Sequence, residues 1–209
     1  MNNFLSINDG SKNSTSDMVK VALFAGIIFV LGTTPFGFIP LGAFKIVMIH
    51  IPVIIGSIVL GPKNGAFLGF MFGLTSFISA HLQPVVTSYF FSPIISGNLF
   101  SLIVCFVPRI LVGIIPYYVF KFFKKYININ IALIISGLIG SLTNTVLVLG
   151  FIYIFFAEKY AQILNTTLDN LLAVIFASVG LNALLEALAS AILVLTICKA
   201  LFKILKSVK

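Results

Sequence analysis

Six long apolar stretches run through the chain, and the polar positions fall almost entirely between them. They cover residues 18–38, 46–60, 65–81, 97–120, 129–156 and 171–202. A helix needs about 20 apolar residues to cross the hydrocarbon core. The pattern therefore predicts six transmembrane helices. The second stretch is short, lies between Gly- and Pro-rich segments, and reads as a tilted or partly buried span. The last two are long and read as tilted or as extending beyond the bilayer. The runs lack strict alternation and are too long for barrel strands. The expected fold class is an all-α integral membrane protein. Residues 1–17 read as a polar cytoplasmic segment without the form of a signal peptide. Residues 18–209 read as a single six-helix membrane domain. Ser16 or Asp17 suits an N-cap for the first helix.

Composition sharpens this. Of the 209 residues, 60% are hydrophobic and only 9% charged. A soluble domain carries about 25% charged residues, so a soluble enzyme, a disordered chain and a nucleic-acid-binding domain are excluded. The net charge of +8 then reads as a topology signal. With the N-terminus cytoplasmic, the inside holds Lys12, Lys20, Lys63, Lys121, Lys124, Lys125, Lys199, Lys203, Lys206 and Lys209. The outside holds Lys45 and Lys159, and Arg109 stays within a span. That asymmetry predicts both termini cytoplasmic. Cys105 and Cys198 lie in apolar stretches and read as buried thiols. The outer connections 32–44 and 81–96 are long and hold Pro35, Pro40, Pro84 and Pro93. They are expected to form a lid on an outward-facing pocket.

Small residues recur every four positions on three spans: Ala22 and Gly26, then Gly65, Gly69 and Gly73, then Ala183, Ala187 and Ala191. Such spacing lets helix backbones approach closely in lipid. Internal packing is the first expectation for the third and sixth spans. A stripe facing outward would instead dock another membrane protein.

Polar groups at membrane depth are costly and turn toward the bundle interior or a cavity. Arg109, Asn144, Asn182 and Glu186 fall at similar depths along their spans. Two readings stand side by side: they line one pocket, or they form a structural cluster with Arg109 paired to Glu186. Thr75 and Ser76 add hydroxyls toward the outer end of the third span. His50 begins the second span and His81 ends the third; lone membrane histidines are commonly packed or interfacial. The candidate binding set is Arg109, Asn144, Asn182, Glu186, Thr75, Ser76, Lys45 and His50.

The chain has no phosphate-binding loop, no H-E-x-x-H helix and no G-x-S-x-G elbow. An enzyme is not expected, and neither a metal nor a cofactor is. A self-sufficient carrier driven by protons through Glu186 is the alternative from another class. No inverted repeat or pair of broken helices of the carrier kind is visible.

Several segments together resemble the substrate-binding (S) components of energy-coupling factor (ECF) vitamin transporters. They are His50-Ile51-Pro52-Val53-Ile54-Ile55-Gly56 and Leu60-Gly61-Pro62-Lys63-Asn64-Gly65-Ala66, continuing through Gly69 into Phe72-Gly73-Leu74-Thr75-Ser76. Phe91-Ser92-Pro93, Val107-Pro108-Arg109-Ile110, Ser141-Leu142-Thr143-Asn144-Thr145 and the Asn182–Glu186 pair follow in order. Within the family the run looks most like the pantothenate type. The resemblance implies a six-helix protein of the cell membrane that captures a vitamin from outside. It also implies a transmembrane coupling protein and two ATPase subunits as partners, which fits the missing phosphate loop. In the family an alanine-x-x-x-alanine stripe on the first helix docks the coupling protein; Ala22 and Gly26 occupy those positions here. Family members often carry Gly and Pro between the sixth-span Asn and Glu, where this chain has Ala183-Leu184-Leu185.

The residues themselves bear on the substrate. Arg109 offers a permanently charged planar fork suited to a carboxylate, and Lys45 on the outer loop stands ready to assist. Asn144, Asn182 and Thr75 suit hydroxyls or an amide. Pantothenate, with one carboxylate, one amide and two hydroxyls, matches that inventory. Folate, biotin, niacin and riboflavin stay open as alternatives.

Overall fold

A computed structural model describes residues 15–34, 37–41, 44–82 and 86–207. Lys12, Lys209 and most of the 1–17 segment lie outside the described residues, and only the backbone of Lys45 and Lys206 is described. The elements in order are α1 (Thr15–Thr33), β1 (Phe38–Leu41), β2 (Phe44–Val47), α2 (His50–Leu60) and α3 (Pro62–Leu82). A 3₁₀ turn (Val86–Phe90) and a short α4 (Pro93–Ser96) follow, then α5 (Phe100–Phe123), α6 (Ile129–Ile163) and α7 (Leu168–Ser207). Helix α1 begins at Thr15, so Ser16 and Asp17 sit in its first turn rather than capping it; Asp17 pairs there with Lys20 at 2.9 Å. The chain is a helical, multi-pass integral membrane protein.

Five helices, α1, α3, α5, α6 and α7, are long and apolar enough to cross a membrane. The second predicted span divides differently. Its first two residues, Ile46 and Val47, are the end of β2, antiparallel to β1, with Phe38 opposite Val47 and Leu41 opposite Phe44. Only His50–Leu60 is helical, 11 residues, or about 16 Å at the helical rise. The outer connection expected to be irregular thus contains a hairpin, and the fold is not purely α. Pro52 gives a physical reason for the late helix start. In the first turn its missing N–H costs nothing, but an upstream extension would set its ring against the carbonyl of residue 48. Eight of the eleven α2 residues are buried, from His50 and Ile51 to Ile58. Gly61, at φ 90°, reverses the chain into α3, with Pro62 at the first helical position.

The glycine stripe of α3 is spent on packing. A Cβ at Gly65 would strike the carbonyl of Gly113, and one at Gly69 would strike the carbonyl of Arg109. These two glycines bring α3 against the Arg109 turn of α5. The sixth stripe is internal as well: Ala187 and Ala191 are buried, and Ser190 Oγ donates to the Gly137 carbonyl at 3.1 Å. Ala22 and Gly26 differ. Both are exposed, and nothing lies within 4 Å of a Cβ built on Gly26.

Two apolar cores fill the bundle. One gathers Ile28, Ile54, Leu68, Val112, Leu133 and Val194 around α2. The other gathers Phe90, Val104, Ile152, Phe156, Tyr160 and Leu171. Helix α6 departs from helical geometry at Phe156 (φ −139°, ψ 24°), the residue whose ring meets Phe90 edge-on at 5.7 Å. Cys105 and Cys198 are buried free thiols.

Candidate functional site

Arg109 lies nine residues beyond the start of α5 at Phe100, about 14 Å along the axis. Its side chain is only 6% exposed. The local sequence explains how it is held. Pro108 has no N–H, so the Val104 carbonyl four residues earlier has no helical partner. Arg109 Nη1 fills that role, donating to Val104 O at 2.7 Å. The guanidinium carbon lies 5.5 Å from the Phe72 ring centroid and 4.7 Å from that of Phe91, within cation–π range of both. Nε is buried without a hydrogen-bond partner. The charge is therefore framed by aromatic faces and one carbonyl, and no carboxylate of the described chain meets it.

The Arg109–Glu186 ion pair, one of the two readings of the polar cluster, is not formed. Glu186 is engaged elsewhere. Its Oε1 accepts from the Val47 amide at 3.0 Å and from Asn182 Nδ2 at 3.1 Å. Asn182 and Glu186, one turn apart on α7, thus grip the end of β2, three residues before His50. Equal depth along two helices leaves their lateral separation open, which is why the pairing expected from depth fails. Of the two readings of the polar cluster, the one that pairs Arg109 with Glu186 is set aside.

The other candidates are placed as follows. Thr75 is fully buried and donates to the Phe72 carbonyl at 2.9 Å. It fills the space a side chain on Gly32 of α1 would occupy, so it joins α3 to α1. Ser76 is half-buried. His50 is 1% exposed and neither ring nitrogen has a partner. A neutral imidazole carries one donor and one acceptor, so a buried hydrogen and a lone pair both go unmatched. Asn144 Oδ1 and Asn182 Oδ1 are buried and unpartnered too. The Lys45 side chain lies outside the described residues. Among the described residues no cluster of three or more His, Cys, Asp or Glu could hold a metal ion.

A buried polar group without a partner costs about 1–3 kcal/mol, and such atoms are uncommon. Here they fall on Arg109, Asn144, Asn182 and His50, four members of the candidate set, and on Ser57 and Ser141. The first four lie on four different helices, α5, α6, α7 and α2. Sequence reasoning missed Phe72 and Phe91, which face Arg109, and the Val47 amide that Glu186 binds. The proline four residues after Val104 is the signal from which the Arg109 anchor could have been read.

Residues 16–198 match the family described as "ECF transporter, substrate-specific component". A pantothenic acid transporter, PanT, of Lactococcus lactis subsp. cremoris is 38% identical over 206 residues, covering 92% of this chain and 96% of that protein. A pantothenate transporter, PanT, of Leuconostoc mesenteroides subsp. mesenteroides is 31% identical over 203 residues, covering 93% and 96%. With a family match across nearly its whole length and two such relatives, the chain belongs to the substrate-specific components of ECF transporters.

Proposed function

We propose that this chain is the membrane subunit that captures pantothenate from outside the cell for an ECF-type importer. The observation that carries the reading is Arg109: a buried guanidinium framed by Phe72 and Phe91, with Nε unpartnered and no carboxylate of the described chain against it. A carboxylate ligand supplies the missing counter-charge through charge-assisted hydrogen bonds. The unpartnered amide oxygens of Asn144 and Asn182 and the ring of His50 suit the hydroxyls and amide of pantothenate. The names of the two relatives support the same vitamin.

The remaining parts of the reading follow from it. The hairpin and α2 together make the second of six crossings, with both termini cytoplasmic. The exposed Ala22–Gly26 face of α1 docks a transmembrane coupling protein, and two ATPase subunits supply the energy. Lipid bilayer, vitamin and these subunits are the partners; nucleic acid is not. The test is calorimetric titration of the purified chain with pantothenate, beside folate, biotin, niacin and riboflavin. Saturable pantothenate binding supports the reading, and binding of another vitamin in its place overturns it. Accumulation by the chain alone in proteoliposomes under a proton gradient would establish the carrier alternative.

A further inference from the structure

The C-terminal ends of α5 and α7 meet, and both are basic. The Phe120 ring of α5 lies 6.1 Å from the Phe202 ring of α7. Around that contact stand Lys121, Lys124 and Lys125 at the end of α5, and Lys199 and Lys203 on the last turns of α7. Lys199 and Lys203 are one turn apart and share a helix face; both are exposed, as is Lys125. Lys124 Nζ lies 5.7 Å from the Phe120 ring centroid and Lys121 Nζ 5.8 Å from that of Tyr117. Their stems thus lie along aromatic surface at the helix end. Phe122 and Tyr126 are exposed beside them. Among the described residues, Lys124, Lys125, Lys199 and Lys203 meet no carboxylate. The acids of the described chain are placed elsewhere. Asp17 engages Lys20, Glu158 and Asp169 flank the α6–α7 connection at the opposite end, and Glu186 holds Val47.

We propose that the paired ends of α5 and α7 form a binding site for the headgroup of an anionic phospholipid. Lysines from two helices converge on the phosphate, and the exposed rings of Phe122 and Tyr126 lie against the start of the acyl chains. Two observations favour a lipid over an acidic protein partner. The cations sit at the ends of membrane-spanning helices, where anionic headgroups attract lysine. They also sit among aromatic rings, which settle at headgroup level. The charge asymmetry of the whole chain accounts for orientation in the membrane, but not for lysines of two helices gathered around one ring contact. The site uses none of the residues around Arg109, so it stands apart from the identity of the vitamin.

Native mass spectrometry of the purified full chain tests this, with dioleoyl phosphatidylglycerol and dioleoyl phosphatidylcholine added in competition. The two lipids share acyl chains and differ in net charge. Wild type should retain phosphatidylglycerol in preference, and less so as salt is raised, because salt screens exposed charges. Lys124→Gln/Lys125→Gln and Lys199→Gln/Lys203→Gln should each lower that preference, by about fivefold per lysine. The corresponding Lys→Arg pairs, which keep the charge, should retain it. Lys20→Gln/Lys63→Gln removes two charges from α1 and α3 and should leave it nearly unchanged. No preference in wild type overturns the proposal, as does an equal loss in the Lys20/Lys63 pair, which would mean diffuse attraction without a site. Loss in the Lys→Arg pairs would assign the effect to packing and overturn it too. Displacement of the lipid by equimolar glycerophosphoglycerol, the headgroup without acyl chains, would mean that the site takes a free phosphate. Gln pairs that keep the lipid preference but no longer assemble with the other importer subunits would make this face a protein dock. Either result overturns the lipid site.

Discussion

Glu186 Oε1 accepts the Val47 amide hydrogen at 3.0 Å, tying the middle of α7 to the last residue of the β1–β2 hairpin. A side chain that sequence reasoning assigned to the ligand or to Arg109 thus supports the backbone just ahead of His50. Asn182 bonds the same oxygen at 3.1 Å and fixes the carboxylate.

Removing that carboxylate should loosen the hairpin. In Glu186→Ala the Val47 amide loses a charge-assisted partner, which contributes about 1.5–3 kcal/mol. Hydrogen exchange at Val47 should quicken by roughly ten- to a hundredfold, while Glu186→Gln, which keeps an acceptor oxygen, should retain much of the protection. Unchanged exchange in Glu186→Ala would mean the hairpin is held by other contacts.

The two small-residue stripes should respond in opposite ways. Gly69 meets the Arg109 carbonyl where a Cβ would go, and Gly26 meets nothing within 4 Å. Gly69→Ala should therefore lower thermal stability, by about 1–3 kcal/mol as an overpacked contact. Gly26→Trp and Ala22→Trp should leave the isolated chain folded and ligand-binding, yet abolish transport by the complete importer. Loss of binding in the isolated Gly26→Trp chain would show that this face packs the bundle itself.

Pro108 should matter through a hydrogen bond it cannot make. Pro108→Ala restores an N–H that competes for the Val104 carbonyl, which Arg109 Nη1 now holds at 2.7 Å. The guanidinium loses its anchor, and pantothenate affinity should fall about three- to tenfold, the worth of one hydrogen bond, without loss of helical content. Calorimetric titration checks the affinity and circular dichroism the fold.

The long spans were legible because α1, α3, α5, α6 and α7 are apolar runs of sufficient length, and length with apolarity is what a bilayer demands. The stripes on α3 and α7 were legible for the same reason, since small residues every four positions bring backbones together. The second span was not. Residues 46–60 carry no Lys, Arg, Asp or Glu and are mainly apolar, and such a run does not distinguish a strand leading into a short buried helix from one spanning helix. Depth along a helix was readable for Arg109 and Glu186, but their partners depend on lateral position, and each took a backbone group instead. Phe91 entered only as part of the Phe91-Ser92-Pro93 segment, and nothing in the sequence set its ring beside Arg109, 4.7 Å from the guanidinium carbon.

The measurement that bears most directly on the account compares pantothenate with pantothenol, its alcohol analogue, on wild-type, Arg109→Lys and Arg109→Ala protein, each shown to be folded by its thermal transition. Loss of a hydrogen bond to a charged group is worth about 1.5–3 kcal/mol, roughly ten- to a hundredfold in Kd. Wild type should prefer the acid by that margin, Arg109→Lys should keep part of the preference because an ammonium lacks the bidentate fork, and Arg109→Ala should lose it. A folded Arg109→Ala protein that still prefers the acid as wild type does would contradict carboxylate recognition by Arg109.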